Sequence, residues 1–426
     1  MIDKTVIVLA VLEDYSKHKL LKHVGPFFLQ TVSLYLYFCK PLQRIFSKVI
    51  VYDFLKRMTE IGVKATNKEI IDLVRKEHAD YVVWVSWQYE IQESTFESIR
   101  KEGTIVVGWF HEDEVRFDNY SKWWIPYVDY CVTNDIRVVS EYRKLGARVL
   151  QTIPFTGIPI NRDWLNIEEY EVTFVGTRRP EREQYINELT KKNIPIHLFG
   201  EGWGKYVSFE EMVDIFRASK ININFSRVGG NDKLQIKGRI FEICMAGGFI
   251  LTEYVPGIER YFEIDKEIAC FRDADEMIGK IIYYLNHDKK RQAMAQSSWK
   301  RATSEYASLN MLSKTFNEIE EDIATKGKES ALHSQELRMS VHLRKSFSDY
   351  YLKWGIAFLI ENYKGLWKDA LSLSTRYYPL RIRAWFYYII GFFPYSVRST
   401  LIKLYRGFRL SCMPYLRKIK NGRRDV

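Results

Sequence analysis

The stretch KGRIFEICMAGGFILTEYVPGIERYFE, Lys237–Glu263, decides the fold. Its first ten residues have helical spacing, with Ile240, Ile243 and Cys244 on one face and Arg239 and Glu242 on another. Gly247 and Gly248 end that helix and admit the chain to an apolar strand, GFILTEY. An amphipathic helix, a glycine stop and a β-branched strand form one repeat of a parallel α/β sheet. Outward from this stretch the same alternation continues, with strands predicted at 172–177, 194–200, 220–226 and 268–273. A second set lies upstream, at 5–12, 48–54, 80–87, 104–110, 130–134 and 148–155, with helical stretches such as NKEIIDLVRKEH between. Two doubly wound units therefore face one another across a cleft, and ligands in such sheets bind beyond the carboxyl ends of the strands.

At 426 residues the chain has room for two such units and an extension. The predicted division is a first unit at 1–158, a linker at 159–171, a second unit at 172–310, closing helices at 311–345 and a basic, aromatic extension at 346–426. The net charge of +11 is not shared evenly. Residues 331–426 hold 18 Lys and Arg against 5 Asp and Glu, leaving the rest of the chain at −2. The five cysteines, Cys39, Cys131, Cys244, Cys270 and Cys412, are scattered without C-x-x-C spacing, which argues against a disulfide framework or zinc site and fits a reducing cytoplasm. The opening MIDKTVIVLAVLEDYS reads as a strand rather than a signal peptide, and no apolar run reaches the ~20 residues that span a bilayer.

Three places in the second unit carry anion-binding chemistry. VTFVG ends at Gly176 and is followed by Thr177, Arg178 and Arg179, then Pro180 at a helix start, where backbone amides and a helix N-terminus favour phosphate. LFGEGWG sets Gly200, Glu201, Gly202 and Trp203 after the next strand, a loop able to stack on a flat ring. SRVGGNDKLQIKGRIFE brings Lys233, Lys237 and Arg239 toward a helix start, with Glu242 one turn on and able to accept two hydroxyl hydrogen bonds. The alternative is ordinary structure: βα turns, a packed Trp, and an Arg239–Glu242 surface pair. DAD at 273–275 resembles a metal motif, but it follows a strand and opens a helix, so Asp273 or Asp275 suits an N-cap.

The ordered segments VTFVGTRRPEREQYINEL, HLFGEGW, KININFS and KGRIFEICMAGGFILTEYVPGIERYFEIDKEIACFRDADEMIGKIIYYLNH resemble the C-terminal half of GT-B glycosyltransferases, and more closely its CgeB-like, spore-maturation-type group. The likeness covers roughly 172–305; GWFHEDEVRFDNYSKWWIPYVDYCVTN resembles the same group more loosely. The resemblance implies a GT-B fold with a C-terminal helical extension. It also implies a nucleotide-sugar donor held by Gly176, Thr177, Arg178, Gly200, Glu201, Trp203, Lys237 and Glu242, the last on the ribose, with the acceptor in the first unit. Where many retaining GT-B enzymes carry a second glutamate eight residues before the ribose acid, this chain has Leu234. The end of GWFHEDE then faces the donor sugar, with Asp113 as the first choice of general base, Glu112 and Glu114 behind it, and His111 as a polar contact. Arg239 is assigned to charge developing on the departing diphosphate, without a metal or other cofactor. The expected reaction is sugar transfer to an acceptor hydroxyl in surface polysaccharide or glycolipid assembly; the alternative is a non-catalytic nucleotide-sugar or glycan-binding protein.

The extension, RYYPLRIRAWFYYIIGFFPYSVRSTLIKLYRGFRL onward, mixes cations with Trp, Tyr, Phe and Ile. Its apolar density suits an anionic membrane surface on the cytoplasmic side, and a lipid-linked acceptor, better than nucleic acid. The alternative is a helical subdomain packed on the body.

Overall fold

A computed structural model describes residues 1–12, 18–20, 34–153, 157, 169–205, 207–228, 233–327, 341–363 and 365–405. Six strands form the first sheet: β1 Ile2–Ala10, β2 Phe46–Asp53, β3 Tyr81–Val85, β4 Ile105–Phe110, β5 Tyr130–Thr133 and β6 Val149–Gln151. Five form the second: β7 Tyr170–Val175, β8 His197–Phe199, β9 Ser219–Asn224, β10 Ile250–Glu253 and β11 Ala269–Phe271. The first-unit helices are α1 Lys40–Ile45, α2 Phe54–Ile61, α3 Val63–Glu77, α4 Glu93–Lys101, the single turn α5 Asp113–Arg116, and α6 Val139–Lys144. Then come α7 Pro180–Lys191, α8 Phe209–Ala218, α9 Gly238–Ala246, α10 Ala274–Leu285, α11 Asp288–Glu305, α12 Ser308–Lys326, α13 Val341–Ile360, α14 Leu366–Tyr377 and α15 Ile382–Ile390.

Every strand pair is parallel, in the orders β2-β1-β3-β4-β5-β6 and β11-β10-β9-β7-β8. The run YVVWV of β3 and IVVGWF of β4 are buried along their whole length, as strands covered on both faces must be. Alternation divides them: Ile7, Leu9, Val82 and Trp84 enter one core, and Val6, Val8, Tyr81 and Val83 the other. The order reverses beside β1 in the first sheet and beside β7 in the second, which opens a crevice at the carboxyl ends of those strands.

The predicted strands all form, several shortened at their ends, and β7 begins at Tyr170, inside the stretch expected to be linker. Most of that linker, 159–168, lies outside the described residues. The closing helix α12 returns to the first unit. Phe316 packs edge-on against Phe46 at 4.9 Å, and Glu320 pairs with Lys4 at 2.7 Å and accepts from the Tyr81 hydroxyl at 2.6 Å.

Helix α13, Val341–Ile360, spans the expected start of the extension at 346, and the extension is not a free appendage. Phe347, Tyr351, Trp354 and Phe358 of α13 join the same core as Trp84 and Trp124. Phe347 stacks on Tyr377 of α14 at 4.6 Å, and the Tyr377 hydroxyl donates to Glu93 at 2.6 Å, tying α14 to the start of α4. The packed-subdomain reading therefore holds for one face of these helices. Asp273 caps α10 by accepting from Glu276 N at 2.9 Å, as its position after a strand suggests. Among the described residues, no helix is long and apolar enough to cross a membrane.

Candidate functional site

The glycines after β7 and β8 let two loops touch. A Cβ on Gly200, whose φ is +112°, would stand 2.6 Å from the Gly176 carbonyl oxygen. Gly176 N instead donates to Phe199 O at 2.9 Å, and Arg178 N to Glu201 O at 2.7 Å. Thr177 offers its carbonyl to Arg182 at 2.6 Å. Arg178 is turned away from the cleft chemistry, for it pairs with Glu183 and lies 5.4 Å over the Trp203 ring. Trp203 meets Phe174 edge-on at 6.4 Å, so the packed-Trp reading describes its environment.

The cation that sequence reasoning missed is Arg182, in the first turn of α7. Its guanidinium lies 5.4 Å over Phe174. Burial, and then the neighbouring Arg179, push its pKa down to about 10. Lys237, the residue before α9, is pushed down to about 8 by burial and next by Arg182. Lys237 donates to the Gln235 side chain at 2.7 Å, and Arg182 to a backbone carbonyl. Both cations are thus held near each other by neutral acceptors, an arrangement that costs solvation energy until an anion arrives. One signal for Arg182 existed: a cation in a helix's first turn opposes the macrodipole and calls for an anion.

Arg239 and Glu242 form the ion pair foreseen as the ordinary alternative, at 2.9 Å, but it is no surface pair, with side chains 16 % and 11 % exposed. Arg239 lies 5.3 Å over Phe216, and Glu242 stands beside the Tyr37 hydroxyl of the first unit, where burial and then Glu242 raise the phenol's pKa far above its ordinary value. Helix α9 ends at Gly247 with φ 80°, and Gly248 N donates back to Ile243 O at 3.0 Å, the glycine stop read from the sequence.

On the opposite wall, β4 ends at Phe110 and Glu112 turns the chain with a left-handed φ of 57° into α5. That turn sends successive acids in different directions. Asp113 goes inward, where it is 2 % exposed and accepts from Ser121 Oγ at 2.5 Å, Thr133 Oγ1 at 2.6 Å and Tyr142 Oη at 2.9 Å. This carboxyl ties α5 to β5 and α6 and is buried within its own unit, a position unlike the exposed strand end expected of a first-choice base. His111 is partly buried, its pKa pushed down to about 3 by burial and then by Arg116, so it is neutral at physiological pH.

Glu114 goes toward the second unit. Its carboxylate accepts from Gln235 Nε2 at 3.0 Å, its carbonyl accepts from Lys233 Nζ at 2.6 Å, and Arg137 stands 3.9 Å away. Burial pushes its pKa up to about 7. Glu114 also lies near enough to Lys237 to favour that ammonium. Residues 226–228 and 233–235 pair antiparallel beside it, with Arg227 bridged to Leu234 and Gln235 N donating to Ser226 O at 3.0 Å. Buried Glu253, at the end of β10, anchors this pairing by accepting from Ser226 N at 2.8 Å. Residues 229–232, with the Gly-Gly pair, lie outside the described residues. So the structure gathers Arg182, Lys237, Gln235 and Glu114 about one point of the cleft, and leaves Asp113, Arg178 and Trp203 in structural contacts.

Residues 178–314 match the model of a family described as glycosyl transferase-like. Among solved structures, Anabaena Alr3699/HepE in complex with UDP and glucose is similar, with 9 % identity and a TM-score of 0.51 over 74 % of this chain and 99 % of that one. The sucrose-phosphate synthase of Thermosynechococcus elongatus is similar at 10 % identity and a TM-score of 0.50, over 75 % of this chain and 99 % of its own. No curated protein matches the chain. The fold is GT-B, two Rossmann-like units facing a cleft, with helices added at the C-terminus.

Proposed function

We propose that this chain is a glycosyltransferase of the CgeB-like group that moves a sugar from a nucleoside-diphosphate donor to a hydroxyl of a glycan or lipid-linked acceptor. The observation that carries this reading is the partly buried Arg182–Lys237 pair, linked to Glu114 of the opposite wall through Gln235. The two cations would hold the diphosphate, with Arg179 beside them. Their charge is worth most on the leaving group as its bond to the sugar breaks. Gly176, Thr177, Gly200 and Glu201 would shape the pocket with their backbone, and Glu242, kept in place by Arg239, would hold the ribose hydroxyls.

Glu114 replaces Asp113 as the proposed base. With a pKa of about 7 it is half ionised at neutral pH, which suits proton removal from an alcohol. In an inverting transfer the acceptor oxygen forms its bond to the anomeric carbon as the bond to the diphosphate breaks. The hydroxyl proton passes to Glu114, and both electrons of the broken bond leave with the diphosphate. Asp113 positions this wall without touching substrate. The cellular setting we propose is assembly of surface polysaccharide or glycolipid on the cytoplasmic face of a membrane.

A thermal-shift screen of nucleotide sugars tests the donor site, since a bound ligand raises stability by mass action. Each donor that stabilises the protein is then assayed for release of nucleoside diphosphate. No stabilisation by any donor would refute the donor site, and stabilisation without release under any acceptor would leave the binding-protein alternative standing. Release that survives a chelator is expected if the two cations carry the leaving-group charge.

A further inference from the structure

The large apolar side chains exposed on this protein are concentrated in one place. Helix α15 buries Ala384, Tyr387 and Ile390 against the body, while Ile382, Trp385 and Ile389 point outward, 82 %, 44 % and 57 % exposed. Phe392 and Phe393 extend the outward row past the helix end, and Leu404 joins it from the helical segment 395–405. The two faces follow helical periodicity, so the outward row is built into the fold and is not a result of fraying. The Trp385 indole donates to Pro379 O at 2.8 Å, which fixes one edge of the row.

Cations frame this ridge. Lys368 lies 5.2 Å over the Phe392 ring, and Lys403 is exposed beside Leu404. The chain that follows, 406–426, adds seven Lys and Arg against one Asp. We infer that this face of α15 and 395–405 docks in the interface of an anionic lipid bilayer, its Trp and Phe at headgroup depth and its cations on lipid phosphate. A protein partner would need a matching apolar groove lined with acid, whereas a bilayer offers both at once. Arg398, on the 395–405 helix, donates to Asn362, and Lys19, in the segment that follows β1, stands 5.3 Å over the adjacent Tyr363. Docking would bring a lipid-linked acceptor within reach of the first unit, and to that extent rests on the proposed transfer; the binding itself needs no turnover.

The test is flotation of the full chain with vesicles of phosphatidylcholine containing roughly one-third phosphatidylglycerol, and with phosphatidylcholine alone, at low salt and at about 0.5 M NaCl. Binding to the anionic vesicles, weakened but not abolished by salt, is expected. Lys368→Gln with Lys403→Gln should weaken low-salt binding about 30-fold, at about 1 kcal/mol per cation and tenfold per 1.4 kcal/mol. Ile389→Ser with Phe392→Ser and Phe393→Ser should remove the salt-resistant part while the melting temperature and donor-induced stabilisation stay unchanged. No flotation of the full chain, or a triple variant that floats like the parent, would overturn the inference. So would a dimer that the triple variant dissociates, since the face would then belong to a second copy. Flotation without release of nucleoside diphosphate would count against the transfer and not against the docking.

Discussion

Replacing Glu114 by Gln removes one ionisable group and little else. The amide oxygen at 114 can still accept from Gln235, and the backbone carbonyl still accepts from Lys233. In the folded protein the carboxyl is 8 % exposed, and burial lifts its pKa from the ordinary 4.5 to about 7. That difference corresponds to roughly 3 kcal/mol in favour of the protonated form. Because the folded state holds a proton that the unfolded chain has released, this stability is full below pH 4.5. It declines as pH rises and is gone above about 7. Glu114→Gln should lack this decline, so the variant should gain on the parent by up to roughly 3 kcal/mol between pH 4.5 and 7 in denaturant titrations. Activity should move the opposite way. A base must be ionised, so kcat/KM for the parent should climb with pH and level off above about 7. The variant should be slower by about 100- to 10,000-fold and lose that acid limb, while the donor still raises its melting temperature. A variant within tenfold of the parent and with the same limb would refute the assignment. If the stability difference were flat across the window, the buried environment itself would be misread.

Asp113→Asn should act mainly on stability, lowering it by roughly 1–3 kcal/mol in chemical denaturation, because a carboxylate serving three hydroxyls is replaced by an amide that serves fewer. A large loss of turnover at unchanged stability would return the base to Asp113. Arg182→Met should abolish donor-induced stabilisation yet cost the unliganded protein no more than about 1 kcal/mol, since it relieves a buried charge held by a single carbonyl; donor binding at parental strength would remove Arg182 from the site. Glu242→Ala should weaken nucleotide binding by calorimetry more than Arg239→Ala does, and equal losses would mean that Glu242 only buffers its partner's charge.

Much of this fold is legible because its strands are β-branched runs and its helices end at glycines. Ile7, Val83 and Val107 announce buried parallel strands, and Gly247 and Asp273 mark helix ends by chemistry that acts within four residues. The site is harder, since it depends on direction. Asp113 and Glu114 are neighbours of one type, and only the left-handed turn at Glu112 sends one inward and the other across the cleft. Nor does the sequence show that Trp203 is occupied by Arg178 and Phe174. In the extension, composition displays cations and aromatics but not which helical face finds partners, because Tyr89 and Trp124 lie more than two hundred residues away.

The position of Leu234 gives the proposed chemistry its logic. A glutamate there would belong to the second unit, three residues before Lys237 in sequence. In its place Leu234 offers only a carbonyl, to Arg137 at 3.4 Å, and the adjacent Gln235 reaches across to Glu114. The cations thus belong to one unit and the acid to the other. Gln235 touches both, accepting from Lys237 and donating to Glu114. Gln235 thus couples the proposed donor cations of the second unit to the proposed base on α5 of the first, and Lys233 adds a second tie by donating to the Glu114 carbonyl at 2.6 Å.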